Sequence, residues 1–187
     1  MKNSSYVKTL FLLFLLIFKG EIAHSNEKKE PPLVNTQQFD AWTLRCVEVN
    51  KKEQCEMLQT LTVNNTNLQY TLVYSAFKNK NKENKEAFTL IVPLGVNLQK
   101  RIALRFDGED QLNIPYAKCE TFGCITAINN DTETEAVLNL FKKIQDKFKK
   151  ASFLEIAVQG FTDQPIVIKT GLQGFDDARK KLLEKLN

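Results

Sequence analysis

Apolar and polar residues alternate along most of the chain, in short runs separated by polar turns. The first clear run places Trp42, Leu44 and Cys46 on one face. Alternation with a period of two is typical of half-buried β-strands. Similar runs cover residues 55–63, 68–74, 88–92, 102–106, 112–116, 154–158 and 166–170. The pattern predicts a mainly β chain, a β-rich α+β domain built as an antiparallel β-sandwich or a barrel-like structure.

Two segments repeat their apolar residues at helical spacing instead. The first spans residues 133–150, with Thr132 as its expected N-cap. The second closes the chain and has Asp176 and Asp177 near its start. The apolar positions are Val137, Leu140, Phe141, Ile144 and Phe148 in the first, and Phe175, Ala178, Leu182 and Leu186 in the second. We therefore expect one late helix and one C-terminal helix, packed on the strands.

The amino terminus has the pattern of a secretory leader. A basic start is followed by an apolar run at 9–18, which Lys19 ends. A membrane-spanning helix needs roughly 20 apolar residues, so this run fits a signal-peptide core better. Small residues before Asn26 predict a signal peptide at residues 1–25. An uncleaved membrane anchor is the alternative.

The rest of the chain is interpreted as one domain. Residues 26–38, which contain EKKEPP, predict a flexible N-terminal tail, and residues 39–187 a single domain. No later segment is long and apolar enough to span a bilayer. The formal net charge is +4, and removal of the leader with its three lysines and one glutamate lowers it to +2. This weak charge argues against a nucleic-acid partner.

The four cysteines suggest an oxidising compartment. They can be joined in three ways, and the arrangement Cys46–Cys55 with Cys119–Cys124 is favoured because a hairpin can close each bond. A zinc site of four thiolates is the competing interpretation. Structural zinc sites commonly separate neighbouring cysteines by two to four residues. Here eight residues separate the first two cysteines and four the last two. Trp42 is expected to be a core anchor beside the first pair rather than a binding aromatic.

The sequence has few features of a catalytic site. The single histidine, His24, lies in the leader, so Ser75 and Ser152 have no imidazole to activate them. The chain contains no phosphate-binding glycine loop. The carboxylates around Asp107-Gly108, which include Glu109 and Asp110, fit an exposed hairpin turn better than half of a calcium loop. We expect no enzyme activity, no cofactor and no metal, although a glycosidase carboxylate pair would be spatial and stays open.

Lysines supply the candidate binding residues. One group lies in the polar segment 78–86, and a second lies in the predicted helix. Together they could contact an anionic surface such as a glycan, whereas the simpler interpretation of the segment is a solubilising loop. The seven candidates are Lys78, Lys80, Lys82, Lys85, Lys142, Lys143 and Lys147.

Six ordered blocks resemble the invasion-associated locus B (IalB) family over about residues 39–186. They are Trp42 with Cys46; Cys55, Met57 and Gln59; VPLGV at 92–96 with Leu98; IALRFDG at 102–108; Pro115-Tyr116 with Cys119 and Gly123-Cys124; and Leu172, Gly174-Phe175 and Ala178. The resemblance implies structural roles for the cysteines, Trp42, Gly95, Gly108 and Gly174-Phe175, and it offers no catalytic residues.

The resemblance also implies a role in virulence. It predicts an exported protein that is periplasmic, outer-membrane or surface-associated, or secreted, and that supports association with host red cells and their invasion. The partner would be a host-cell surface or envelope protein, or an anionic glycan. The alternatives are a periplasmic housekeeping or chaperone-like binding factor and an enzyme of unknown type. A chaperone would use an apolar groove or a sheet edge.

Overall fold

A computed structural model describes residues 34–63, 66–109, 111–160 and 164–186. The expected signal peptide lies outside these residues. The described chain forms eleven β-strands in two antiparallel sheets and two α-helices, which confirms the predicted β-rich, sandwich-like class. Within these residues, no helix has the length and apolar character needed to cross a membrane.

The strands follow one another mostly as hairpins. In chain order they are β1 (Val34–Phe39), β2 (Trp42–Val49), β3 (Lys52–Thr62), β4 (Gln69–Lys78), β5 (Asn84–Val92), β6 (Ile102–Phe106), β7 (Leu112–Ile114), β8 (Lys118–Glu120), β9 (Gly123–Asn129), β10 (Phe153–Gln159) and β11 (Pro165–Gly171). The seven-stranded sheet has the order β1-β2-β3-β4-β5-β9-β8, and the four-stranded sheet has the order β11-β10-β6-β7.

β1 corrects part of the sequence analysis. The flexible tail was expected to extend to residue 38, but the strand begins at Val34 and pairs with β2 from Val34↔Val47 to Phe39↔Trp42. Its sequence, VNTQQF, is mostly polar and exposed, so no apolar alternation reveals it. An edge strand of this kind is held mainly by backbone hydrogen bonds to its neighbour, which a sequence pattern does not show.

The two helices cover the core. They are α1 (Glu135–Lys150) and α2 (Phe175–Leu186), close to the predicted segments. Thr134 takes the N-cap position of α1. The predicted N-cap was Thr132, whose Oγ1 instead accepts a hydrogen bond from the Thr134 N–H at 3.2 Å. Of the five apolar positions predicted for this face, Phe141, Ile144 and Phe148 are buried and Leu140 is half-buried, whereas Val137 in the first turn is 36% exposed.

Phe148 lies at the centre of an aromatic core. Its ring is stacked on Phe175 of α2 at a centroid distance of 5.0 Å. The ring also meets Phe88 of the seven-stranded sheet at 5.4 Å and Phe106 of the four-stranded sheet at 5.5 Å. Trp42 contacts the same ring edge-on at 5.7 Å and is fully buried. Trp42 is therefore a core residue, as expected, and one phenylalanine joins both sheets and both helices.

Candidate functional site

Both cysteine pairs are cross-strand disulfides. Cys46 lies opposite Cys55 in the β2–β3 hairpin, with a Cα–Cα distance of 4.0 Å. Cys119 lies opposite Cys124 in the β8–β9 hairpin, with a Cα–Cα distance of 3.9 Å. The structure thus has the two local pairings and excludes the four-thiolate zinc site. No cysteine of the described chain is free to act as a nucleophile or a metal ligand.

A cluster of buried and half-buried polar side chains lies where both helices meet β4 and β5. We call Tyr74, Glu86, Gln145 and Arg179 the polar cluster. Arg179 donates from Nε to Glu86 Oε2 at 2.6 Å and from Nη2 to Glu86 Oε1 at 2.7 Å. The Tyr74 hydroxyl donates to Glu86 Oε2 at 2.9 Å and accepts from Gln145 Nε2 at 2.6 Å. The same amide lies 3.3 Å from Glu86 Oε1.

The electrostatics of the polar cluster suit a structural role. Burial and the nearby Glu86 carboxylate raise the pKa of Tyr74, so its hydroxyl remains protonated at neutral pH. Hydrogen bonding to Glu86 raises the pKa of Arg179 further above its ordinary value. Both carboxylate oxygens already accept two hydrogen bonds each. The arrangement ties α1 and α2 to the sheet and leaves little room for a reacting group.

Sequence reasoning missed the polar cluster, although one signal for it was present. Glu86 has the same phase along β5 as the buried residues Phe88, Leu90 and Val92. A charged residue at an inward-facing position needs a buried partner, because burial of an unpaired charge is costly. The partner, Arg179, is 93 residues away along the chain, so the sequence does not reveal which cation it is.

The first lysine group lies on the β4–β5 hairpin. We call residues 78–85 the lysine hairpin. Asn79 holds its turn, because its Oδ1 accepts from the backbone N–H groups of Asn81 and Glu83 at 3.0 Å each. Within the lysine hairpin, Lys78, Lys80 and Lys82 are exposed and form no ion pair with a described residue. Lys85 differs, since its ammonium lies 3.0 Å from Glu83 and its side chain is 22% exposed.

The second lysine group is divided between two sides of α1. Lys143 and Lys147 line an open cleft of about 730 Å³ against β6 and β7, whereas Lys142 does not. Lys147 forms an ion pair with Glu109. Three lysines and three carboxylates line this cleft: Lys143, Lys147, Lys150, Asp107, Glu109 and Asp146. The positive charge predicted for this end of the helix is therefore balanced locally.

The structure does not bring the two lysine groups together. The lysine hairpin contacts the segment before α1, where Asn79 Nδ2 donates to Asp131 Oδ1 at 3.2 Å. Lys147 lies twelve residues beyond the start of α1, about 18 Å along the helix axis at 1.5 Å per residue. The hairpin lysines and Lys147 thus lie on separate surfaces, of which the hairpin has fewer ion pairs.

The carboxylates of the β6–β7 turn have structural partners. The Asp107 carboxylate accepts from the backbone N–H groups of Ser152 and Phe153, at 3.0 Å in each case. Asp107 and Gly108 have φ values of 50° and 75°, which suit the predicted hairpin turn. Glu109 is the partner of Lys147. Asp110 lies outside the described residues.

Comparisons with known proteins agree on one family. The family model described as "Invasion associated locus B (IalB) protein" matches residues 42–183. A crystal structure of invasion associated protein B from Bartonella henselae resembles the chain with a TM-score of 0.59 and 21% identity, over 80% of this chain and 95% of that one. No curated protein sequence matches significantly. The chain therefore belongs to the invasion associated locus B family.

Proposed function

We propose that the chain is an exported, non-enzymatic binding protein of the cell envelope or cell surface that supports association with host cells and their invasion. Two disulfides support export, because such bonds persist in oxidising compartments and are rare in the cytosol. Membership of the IalB family supports the link to host cells, which the name of the Bartonella henselae protein also carries.

Export has a direct test in the producing cell. We expect the mature protein to begin at Asn26 and to be found in the periplasmic, outer-membrane or culture fraction with all thiols oxidised. Protease added to intact cells distinguishes surface exposure from a periplasmic location. Recovery from the cytosol with residues 1–25 attached and free thiols would contradict the proposal.

The lysine hairpin carries the binding part of the proposal. Lys78, Lys80 and Lys82 are exposed, and none of them forms an ion pair with a described residue. The turn is held by Asn79, so little conformational freedom is lost when a partner orders it. A fixed cationic loop on a rigid scaffold suits an anionic partner such as a sialylated glycan or an acidic protein surface.

Charge reversal tests this surface. We expect Lys78→Glu/Lys80→Glu/Lys82→Glu to weaken binding of the purified protein to erythrocytes about tenfold or more, with an effect that shrinks at high salt. The matched control, Lys149→Glu/Lys169→Glu/Lys180→Glu, makes the same change in net charge at exposed lysines elsewhere and should bind normally. Equal losses in both triples would show that net charge, and not this hairpin, matters.

A variant of the helix lysines and an enzymatic treatment of the erythrocytes complete the experiment. Lys142→Glu/Lys143→Glu tests the helix surface and should have little effect. Sialidase treatment of the erythrocytes distinguishes a glycan partner, whose binding it removes, from a protein partner, whose binding it leaves. Unchanged binding by the hairpin triple would contradict the proposed surface.

One observation favours a chaperone-like binding factor as a second candidate. An open groove of about 800 Å³ lies between α2 and the strands β2–β4, and its lining combines apolar side chains such as Val49, Phe77 and Leu186 with charged ones such as Lys52, Glu53 and Lys78. A groove of this size could hold an extended apolar peptide. Suppression of the aggregation of an unfolded client, and its loss in Phe77→Ser, would support this function; no suppression by the wild-type protein would exclude it.

A further inference from the structure

We propose that an apolar tip at one end of the molecule inserts into the surface of an anionic phospholipid membrane. The apolar tip consists of Leu94 and Leu98 in the β5–β6 loop and Phe122 in the β8–β9 turn. Lys100, Arg101 and Lys118 flank it. The apolar tip is a different surface from the lysine hairpin, and its insertion into a membrane is a function beyond host-cell binding.

Exposure singles out these three apolar side chains. Phe122 is 66% exposed, Leu98 is 58% exposed and Leu94 is 56% exposed. Among the large apolar side chains of the described residues, Val167 is the one other that exceeds 50% exposure. Two short loops thus present three of the four most exposed large apolar groups of the described residues, and this grouping marks the end of the molecule as a candidate interaction surface.

Sheet register places the two loops at the same end. Val92, the last residue of β5, pairs with Cys124 at the start of β9. Leu94 therefore lies two residues beyond this pair on one strand, and Phe122 two residues before it on the other. The backbones are close here, because a Cβ on Gly123 would lie 2.5 Å from the Val92 carbonyl oxygen. The Cys119–Cys124 disulfide closes the turn that carries Phe122.

Hydrogen bonds fix the loop that carries the two leucines. Val96, midway between them, is 9% exposed and forms a β-bridge with Gly160. The Asn97 N–H donates to the Gln159 carbonyl oxygen at 2.8 Å. Asn97 Oδ1 then accepts from the Gln99 N–H at 3.0 Å, a local turn that presents Leu98 at its apex. Inward anchoring of Val96 therefore leaves Leu94 and Leu98 facing outward.

The charges around the apolar tip match an anionic membrane. Lys100 and Arg101 are exposed, and neither takes part in an ion pair within the described part of the chain. Lys118 is already paired, because its ammonium lies 2.8 Å from the carboxylate of Glu120 at the end of β8, so Lys100 and Arg101 are the unpaired cations of this end. Cations beside exposed apolar groups suit a bilayer surface, where the apolar groups enter the acyl boundary and the cations meet lipid phosphates.

Vesicle sedimentation tests the proposal with lipid alone. We expect the mature protein to bind vesicles of phosphatidylcholine mixed with phosphatidylglycerol, and to bind vesicles of phosphatidylcholine alone at least about tenfold more weakly. Leu94→Ser/Leu98→Ser/Phe122→Ser should reduce binding about tenfold or more. Lys100→Gln/Arg101→Gln should reduce it about tenfold and flatten its dependence on salt.

A matched control and a spectroscopic readout separate insertion from other causes. Val34→Ser/Val167→Ser removes exposed apolar groups elsewhere and should bind like the wild type. In Phe122→Trp, the new indole should shift its emission to the blue when vesicles are added and be quenched by brominated lipid. The native Trp42 is already buried and should contribute little change.

Three results would overturn the proposal. The first is equal vesicle binding by the wild type and the triple serine variant. The second is an unshifted Phe122→Trp spectrum in the presence of bound vesicles. The third is concentration-dependent self-association through the apolar tip without vesicle binding, which would assign this surface to a second copy of the chain. Erythrocyte binding can fail without affecting these outcomes, because the vesicles contain no protein and no glycan.

Discussion

Arg179 binds Glu86 through two parallel hydrogen bonds of 2.6 and 2.7 Å, a fork that joins α2 to β5. The side chain of Glu86 is 10% exposed and that of Arg179 is 22% exposed. Charge-assisted bidentate contacts of this kind are the strong form of the interaction. Because the carboxylate is also held by Tyr74, loss of the guanidinium would leave it buried without its counter-charge.

We predict that Arg179→Ala lowers the free energy of unfolding by about 3 kcal/mol, because the cost is mainly that of an unpaired buried charge. Urea unfolding followed by circular dichroism measures this change. The double variant Glu86→Gln/Arg179→Met should recover most of the loss, since it removes both charges and keeps the volume. A double variant as unstable as the single one would show that packing, and not charge, dominates.

Alkaline pH should destabilise the protein through Tyr74. Burial raises its folded pKa above the unfolded value near 10, so the unfolded chain loses this proton first. The stabilising contribution is complete below pH 10 and declines as the pH rises above it. Burial also raises the pKa of Tyr116, to about 12. We expect Tyr74→Phe to lose less unfolding free energy than the wild type when the pH rises above 10.

Absorbance at the phenolate band gives an independent check. In the folded protein, the ionisation of Tyr70, Tyr74 and Tyr116 should lag behind that of the urea-unfolded chain, because all three pKa values are raised. Coincident titration curves for folded and unfolded protein would contradict the raised pKa values of these tyrosines.

Two glycines with similar backbone angles offer a matched comparison. Gly174 has φ +82° and Gly108 has φ +75°. A Cβ on Gly174 would lie 2.3 Å from the Phe39 carbonyl oxygen, whereas nothing lies within 4 Å of a Cβ on Gly108. We predict that Gly108→Ala lowers the free energy of unfolding by about 1 kcal/mol, through backbone strain alone. Gly174→Ala should lower it by about 3 kcal/mol, because the new methyl group also overlaps the Phe39 carbonyl. Thermal melts of the two variants measure the difference, and equal costs would contradict it.

The disulfides should contribute comparable stability. They close loops with sequence separations of 9 and 5 residues, for which the chain-entropy model gives about 2–3 kcal/mol each. Cys46→Ala/Cys55→Ala should cost slightly more unfolding free energy, because its loop is longer; burial does not separate the two bonds, since Cys46 is 5% and Cys124 3% exposed. Cys119→Ala/Cys124→Ala should cost less but loosen the turn that holds Phe122. Unfolding free energies of the two double variants, measured under oxidising conditions, test the order.

Local patterns predicted much of the fold. The alternation of Trp42, Leu44 and Cys46 gave the inward face of β2, and the spacing of Phe141, Ile144 and Phe148 gave the buried face of α1. These predictions succeeded because one face of each element is buried, so the apolar residues must follow the period of the backbone.

Predictions failed where the stabilising contacts are distant or made by the backbone. β1 was missed because its pairing with β2 needs no apolar side chains. The link between Glu86 and Arg179 was missed because neither residue type marks a partner at such a separation. The lysines were found as a set, but their division between the hairpin and two sides of α1 depends on where β4, β5 and α1 lie in space.

β5 connects the lysine hairpin to the apolar tip and sets the distance between them. The strand has nine residues and leads from the lysine hairpin at Asn84 to Val92 beside the apolar tip, a span of about 26 Å. A molecule seated on a bilayer by its tip would hold its lysines that far out, directed away from the lipid. The domain would then act as a spacer with two contact ends, able to bridge a membrane and a second, negatively charged body.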